Sequence, residues 1–99
     1  MLPKALYVDV DGTLIRNGKL NQQLIDYIAR KRDEGYYVAL WSAQGQAYAR
    51  ETAEVNGVAY LFDIILPKPG IIADDHGWYW TKNCKAIKLH LLGLDIYNA

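Results

Sequence analysis

A chain of 99 residues can build one small core, and 52% apolar side chains exclude a disordered polypeptide. Lysine and arginine balance aspartate and glutamate at zero formal charge, which excludes a general polyanion-binding surface. One cysteine, Cys84, excludes an internal disulfide, and no apolar run approaches the roughly 18–20 residues of a membrane helix. Together with a start, Met1–Lys4, that lacks a secretory pattern, this points to a cytoplasmic setting.

Ala5 to Val10 is a short apolar run rich in β-branched and aromatic residues, the pattern of a buried strand. It overlaps the motif Asp9-Val10-Asp11-Gly12-Thr13. Carboxylates at the end of a buried strand are costly unless they meet a cation, a proton donor or a substrate. Period-two alternation places Asp9 and Asp11 on one face, and Gly12 permits a sharp turn and close approach of a ligand. Asp9 has the chemistry of a nucleophile or a ligand for a hard cation, and Asp11 that of a proton relay. Ile15 to Lys19 reads as a polar connection. Asn21 is the expected N-cap of a first helix, with Leu20 and Ile25 as its hydrophobic staple. Leu24, Ile25 and Ile28 form its apolar stripe, and Gly35 stops it. Arg30-Lys31-Arg32 reads as a solvated helix end rather than a nucleic-acid site.

Tyr36 to Ser42 reads as a second buried strand. A strand, helix and strand over this length imply a right-handed parallel unit, which brings Ser42 to the same sheet edge as Asp9. There Ser42 either caps the next helix or hydrogen-bonds a ligand at that edge. That helix opens at Ala43-Gln44-Gly45-Gln46 and stops at Asn56-Gly57, with Ala47, Tyr48 and Val55 as a weak apolar stripe. Gln44 and Gln46 need no role beyond the helix start. A third strand, Ile64 to Leu66, is expected at the sheet edge. Pro67-Lys68-Pro69 then presents a lysine rigidly, because proline fixes its own φ and restricts its predecessor. Ile71 to Asp75 reads as a fourth short strand ending in paired acids. His76 stands beside them without a second histidine or cysteine nearby. Trp78, Tyr79 and Trp80 have the character of a stacking surface or of a packing contact. A last helix is expected from about Lys82 to Leu92, with Cys84, Ile87 and Leu91 inward and Lys82, Lys85 and Lys88 outward. Gly93 ends it, and Leu94 to Ala99 adds a short terminal segment.

The order of these signals, an acid pair at Asp9 and Asp11, then Ser42, Lys68 and Asp74-Asp75, resembles the four motifs of the haloacid dehalogenase superfamily in its phosphatase form. The likeness runs from Asp9 to Asp75. It implies one α/β domain over residues 1–99: a three-layer α/β/α Rossmann-like domain with a short central parallel sheet and no cap. It implies that Asp9 is the nucleophile that becomes an aspartyl-phosphate, and that Asp11 is the general acid and base. Ser42 and Lys68 would hold the phosphoryl oxygens. Asp9, Asp74 and Asp75, with the Asp11 carbonyl, would bind magnesium, which takes few carboxylates and keeps waters. In larger members a helix separates the lysine from the second acid pair; here only a few residues do.

The activity implied is magnesium-dependent hydrolysis of a phosphomonoester, on a small molecule or on a nucleic-acid 3′ end. The competing class is a binding or regulatory domain that kept the fold and lost the activity. A phosphomutase would need a cap for which the gaps between motifs leave no room. A response-regulator receiver domain would carry its acid pair first. A calcium-binding helix-loop-helix would need a glutamate where Leu20 stands. Capless members often act on macromolecules or close their sites by oligomerising, so a homo-oligomer is a further expectation of the resemblance.

Overall fold

The computed structural model describes residues 2–90 and 93–96. Strand β1 (Ala5–Asp9) leads into a tight turn at Gly12, where φ is +79° and the glycine N–H donates to the Ile15 carbonyl at 2.8 Å. The stretch expected to be a polar connection is a small hairpin, β2 (Ile15–Arg16) against β3 (Lys19–Leu20). Its two-residue loop, Asn17-Gly18, has positive φ at both positions, the conformation for which Asn-Gly is best suited.

Helix α1 (Gln22–Asp33) starts where expected: the Asn21 side chain accepts a hydrogen bond from the Leu24 N–H. Leu20 and Ile25 both join the core. The basic end is locally partnered. Lys31 pairs with Glu34 at 3.2 Å, and Arg32 bonds the Leu61 carbonyl and Asp63. Strand β4 (Tyr37–Ser42) runs parallel to β1, with Ala5 opposite Tyr37 and Asp9 opposite Trp41. Helix α2 (Gln46–Val55) follows and ends at Asn56, with Gly57 beyond. Strand β5 (Ile64–Pro67) then adds to the far side of β4, giving a three-stranded parallel sheet ordered β1-β4-β5.

The sheet advances in one direction with each crossover, so right-handed connections put α1 and α2 on the same face. The core shows this. Leu24, Ile28, Ala49 and Ala53 from the helices cluster with Val8, Val10, Leu14, Val38, Leu40 and Ile65. Side chains of opposite parity, Tyr7, Tyr37 and Ile64, remain between one third and one half exposed on the other face. The described residues therefore form a helical layer on one side of the sheet, not the three layers expected.

Two expectations near the C-terminus are corrected. Ile71–Asp75 is not a strand; Ile71 is 91% exposed. Asp74 diverts the backbone. Its side chain accepts from the His76 N–H at 2.9 Å and its carbonyl from the Gly77 N–H at 2.9 Å, a local turn that competes with a ladder. The expected helix from Lys82 is instead a 3-10 segment, Gly77–Asn83, followed by an antiparallel hairpin, β6 (Ile87–His90) and β7 (Gly93–Ile96). Ile87-Lys88-Leu89-His90 alternates with period two, and that pattern prevails over the helical spacing. Cys84, expected inside, is exposed. Leu91, and the part of the expected terminal segment beyond Ile96, lie outside the described residues.

Candidate active site at the carboxyl edge of the sheet

All three parallel strands end on one edge, and their tips carry Asp9, Ser42 and Pro67. Asp9 is half-buried. Its Oδ1 lies 2.9 Å from the Lys68 Nζ, and its Oδ2 accepts from the Thr13 hydroxyl at 3.1 Å. The short loop after β5 therefore does bring the lysine to the nucleophile candidate. It is fixed there because the Lys68 N–H donates to the Ser42 carbonyl at 2.9 Å, continuing the β4–β5 pairing by one more bond.

Asp11 lies just past the strand on the exposed side of the Gly12 turn. Its carboxylate receives two short hydrogen bonds from the α2 side, from the Tyr48 hydroxyl to Oδ1 at 2.6 Å and from the Gln44 amide to Oδ2 at 2.6 Å. These contacts tie the Asp11 side chain to the start of α2. The Tyr48 phenol is raised above its ordinary range, first by its hydrogen bond to Asp11 and then by loss of solvent, so it stays protonated and donating.

Ser42 is buried, 2% exposed, and its Oγ accepts from the Gln44 N–H at 3.0 Å. This is the turn-capping role, and it orders the segment from which Gln44 reaches Asp11. Asp74 and Asp75 are exposed, and Asp75 lies 3.5 Å from the His76 Nε2. Among the described residues no three acid, histidine or cysteine side chains gather as a metal-holding group. Asp74 and Asp75 are thus not assembled with Asp9 and Asp11 as a four-acid set. Magnesium needs only one or two protein carboxylates when phosphate and water complete its shell, and Asp9 with Asp11 meets that minimum.

No family model, curated protein or solved structure matches this chain.

Thr13, Tyr48 and Gln44 are the participants that sequence reasoning passed over. Thr13 stands four residues after Asp9, within reach across the Gly12 turn. Gln44 lies in the turn before α2 and Tyr48 in the first turn of the helix, so no single helical spacing pairs them in the sequence. Tyr48 reads as part of an apolar stripe because its ring does pack on the core, while its hydroxyl serves Asp11. Trp41 adds an aromatic wall: its ring centre is 5.9 Å from the Lys68 Nζ and 4.9 Å from the Tyr7 ring centre.

Proposed function

We propose that this protein is a phosphomonoester hydrolase that works through an aspartyl-phosphate on Asp9, a capless relative of the haloacid dehalogenase phosphatases. One observation carries the reading: the Asp9 carboxylate, at a strand tip, is held between the Lys68 ammonium at 2.9 Å and the Thr13 hydroxyl at 3.1 Å, with Asp11 two residues on. A carboxylate nucleophile, a cation for the phosphoryl charge and a second carboxylate for proton transfer are the parts that phosphoryl transfer requires.

Lys68 binds the incoming phosphate dianion and draws charge from its equatorial oxygens. Ser42, buried and accepting from the Gln44 N–H, orders the turn beside the site rather than meeting the phosphate. An oxygen of Asp9 attacks phosphorus in line; the bond from phosphorus to the leaving oxygen breaks, and Asp11 gives that oxygen its proton. Asp11, now a carboxylate, takes a proton from water. The water oxygen attacks the phosphorus of the aspartyl-phosphate, and phosphate leaves with Asp9 restored. Tyr48 and Gln44 fix the Asp11 side chain, which limits its freedom during both proton transfers. Magnesium held by Asp9 and the Asp11 carbonyl, with water and phosphate completing its shell, would supply further neutralisation of the phosphate charge.

Purified protein should hydrolyse an aryl phosphate in the presence of magnesium, and acid-quenched protein should carry phosphate on Asp9. Asp9→Asn should abolish both while the far-ultraviolet circular dichroism stays unchanged. Turnover near the wild-type rate in that variant would end the proposal. The separate placement of Asp74 and Asp75 favours the second reading, a binding domain without activity. That reading is selected if wild-type protein binds phosphate but turns nothing over.

A further inference from the structure

The face of the sheet that the helices leave open bears a feature that the hydrolytic chemistry does not use. Tyr7 and Asp9 are two apart on β1 and share that face, and Trp41, opposite Asp9 in the parallel register, shares it too. Tyr7 is 48% exposed, and its ring is tilted 60° against that of Trp41. Lys68 links this aromatic pair to the reaction centre, since the same ammonium contacts Asp9 and overlooks the Trp41 ring.

We propose that Trp41, supported by Tyr7, receives a planar ring on the leaving group, and that the preferred substrates are nucleoside monophosphates. The inference rests on the phosphatase reading for the site beside it. Three features argue for it. The aromatic surface begins at the nucleophile, so a group attached to the phosphate reaches it without crossing the core. The surface is apolar with one cation at its rim, which suits a flat, electron-rich base carried by an anion. The tilted Tyr7 ring stands as a side wall beside Trp41, so this surface favours a plate over a chain. Lys68 exchanges its hold on the Trp41 face for the phosphate when substrate arrives, which clears that face for the base.

The test compares adenosine 5′-monophosphate with ribose 5-phosphate, which have the same phosphoester and differ in the base. Adenosine 3′-monophosphate and a short 3′-phosphorylated oligonucleotide provide further arms. The wild-type ratio of kcat/KM, adenosine 5′-monophosphate over ribose 5-phosphate, should be well above one. It should fall roughly 5- to 100-fold in Trp41→Ala, the range for losing one base–aromatic stack, and largely recover in Trp41→Phe. A ratio near one in wild type, or equal losses for both substrates in Trp41→Ala, overturns the inference and leaves the phosphatase reading intact. A preference confined to the oligonucleotide overturns the monophosphate assignment. If no substrate is turned over, the phosphatase reading fails, and binding decides the inference on its own. Adenosine 5′-monophosphate, added to Asp9→Asn, should quench tryptophan fluorescence, and Asp9→Asn/Trp41→Phe should lose that quench. A quench unchanged in the double variant overturns it. Sedimentation of wild type at the assay concentration tests the rival occupant: a dimer that Trp41→Ala dissolves would assign the face to a second copy and overturn the proposal.

Discussion

Replacing Lys68 by alanine separates what the site does for stability from what it does for chemistry. The Lys68 and Asp9 side chains are 36% and 31% exposed, so water screens much of their attraction despite the 2.9 Å contact. Ion pairs in that setting contribute about 0–1 kcal/mol to folding. In the proposed reaction the demand on the lysine is different: charge would grow on the phosphoryl oxygens in a space from which the substrate has displaced water. Removing one preorganised donor of that kind costs on the order of 10²–10³ in kcat. Lys68→Ala should thus shift the unfolding free energy by less than about 1 kcal/mol and lower kcat/KM by about 10²–10³. Urea denaturation followed by circular dichroism gives the first quantity; aryl phosphate hydrolysis with magnesium gives the second. Loss of activity below about tenfold would show that the lysine does not face the reacting phosphate. A parallel collapse of stability would show that Lys68→Ala reports on folding instead.

Tyr48→Phe removes the hydroxyl from Asp11 and keeps the ring in the core. It should lower kcat about tenfold or more with little change in KM, because the proton-transfer geometry is lost and phosphate binding is not. In wild type the raised Tyr48 phenol should sustain activity to higher pH than an ordinary tyrosine would; pH–rate profiles of both proteins check this. Asp63 is a structural counterpart: its Oδ2 accepts from the Val38 N–H at 2.7 Å and from Arg32 at 3.2 Å, which holds its carboxyl below the usual carboxylate range. Because the folded value is depressed, its contribution is full above about pH 4 and is lost as pH falls further through the folded value. Asp63→Asn should cost about 1–2 kcal/mol at pH 7, and the gap to wild type should narrow in denaturation at pH 3. Leu40→Ala, at a fully buried position in the middle strand, should cost about 2–5 kcal/mol by the same measurement.

The first two thirds of the fold were legible because each local signal agreed with the packing around it. Val8, Val38, Leu40 and Ile65 alternate or cluster as buried parallel strands must, and Asn21 and Gly35 punctuate α1 where their chemistry requires. The hairpin at Asn17-Gly18 was also written in the residues, but strands of two residues are too short for a periodic pattern to reveal. Past Pro67 the signals conflict. Ile71-Ile72-Ala73 has strand composition, yet Asp74 satisfies the neighbouring backbone locally and no ladder forms. Ile87 fits both a helical stripe and an alternating strand, and only the partner residues of β7 decide between them. At the site, the sequence placed Asp9 at a strand tip and Lys68 just beyond another, but only the three-dimensional fold shows that the two side chains meet. Tyr48 was not legible, since a tyrosine that packs its ring and spends its hydroxyl elsewhere looks in sequence like any core aromatic.

The alternation of Val8, Asp9 and Val10 couples assembly of the sheet to the placement of the Asp9 carboxylate. Were β1 to slip one step along β4, Asp9 would turn into the helix-covered interior while both valines turned out to water. Such a misaligned chain would strand a charge in oil and forfeit two of its best core contacts, so it cannot persist as a folded but inert population. The hydrophobic core thereby proofreads the placement of Asp9: every molecule that completes its packing has, by that fact, this carboxylate on the face that the helices leave open.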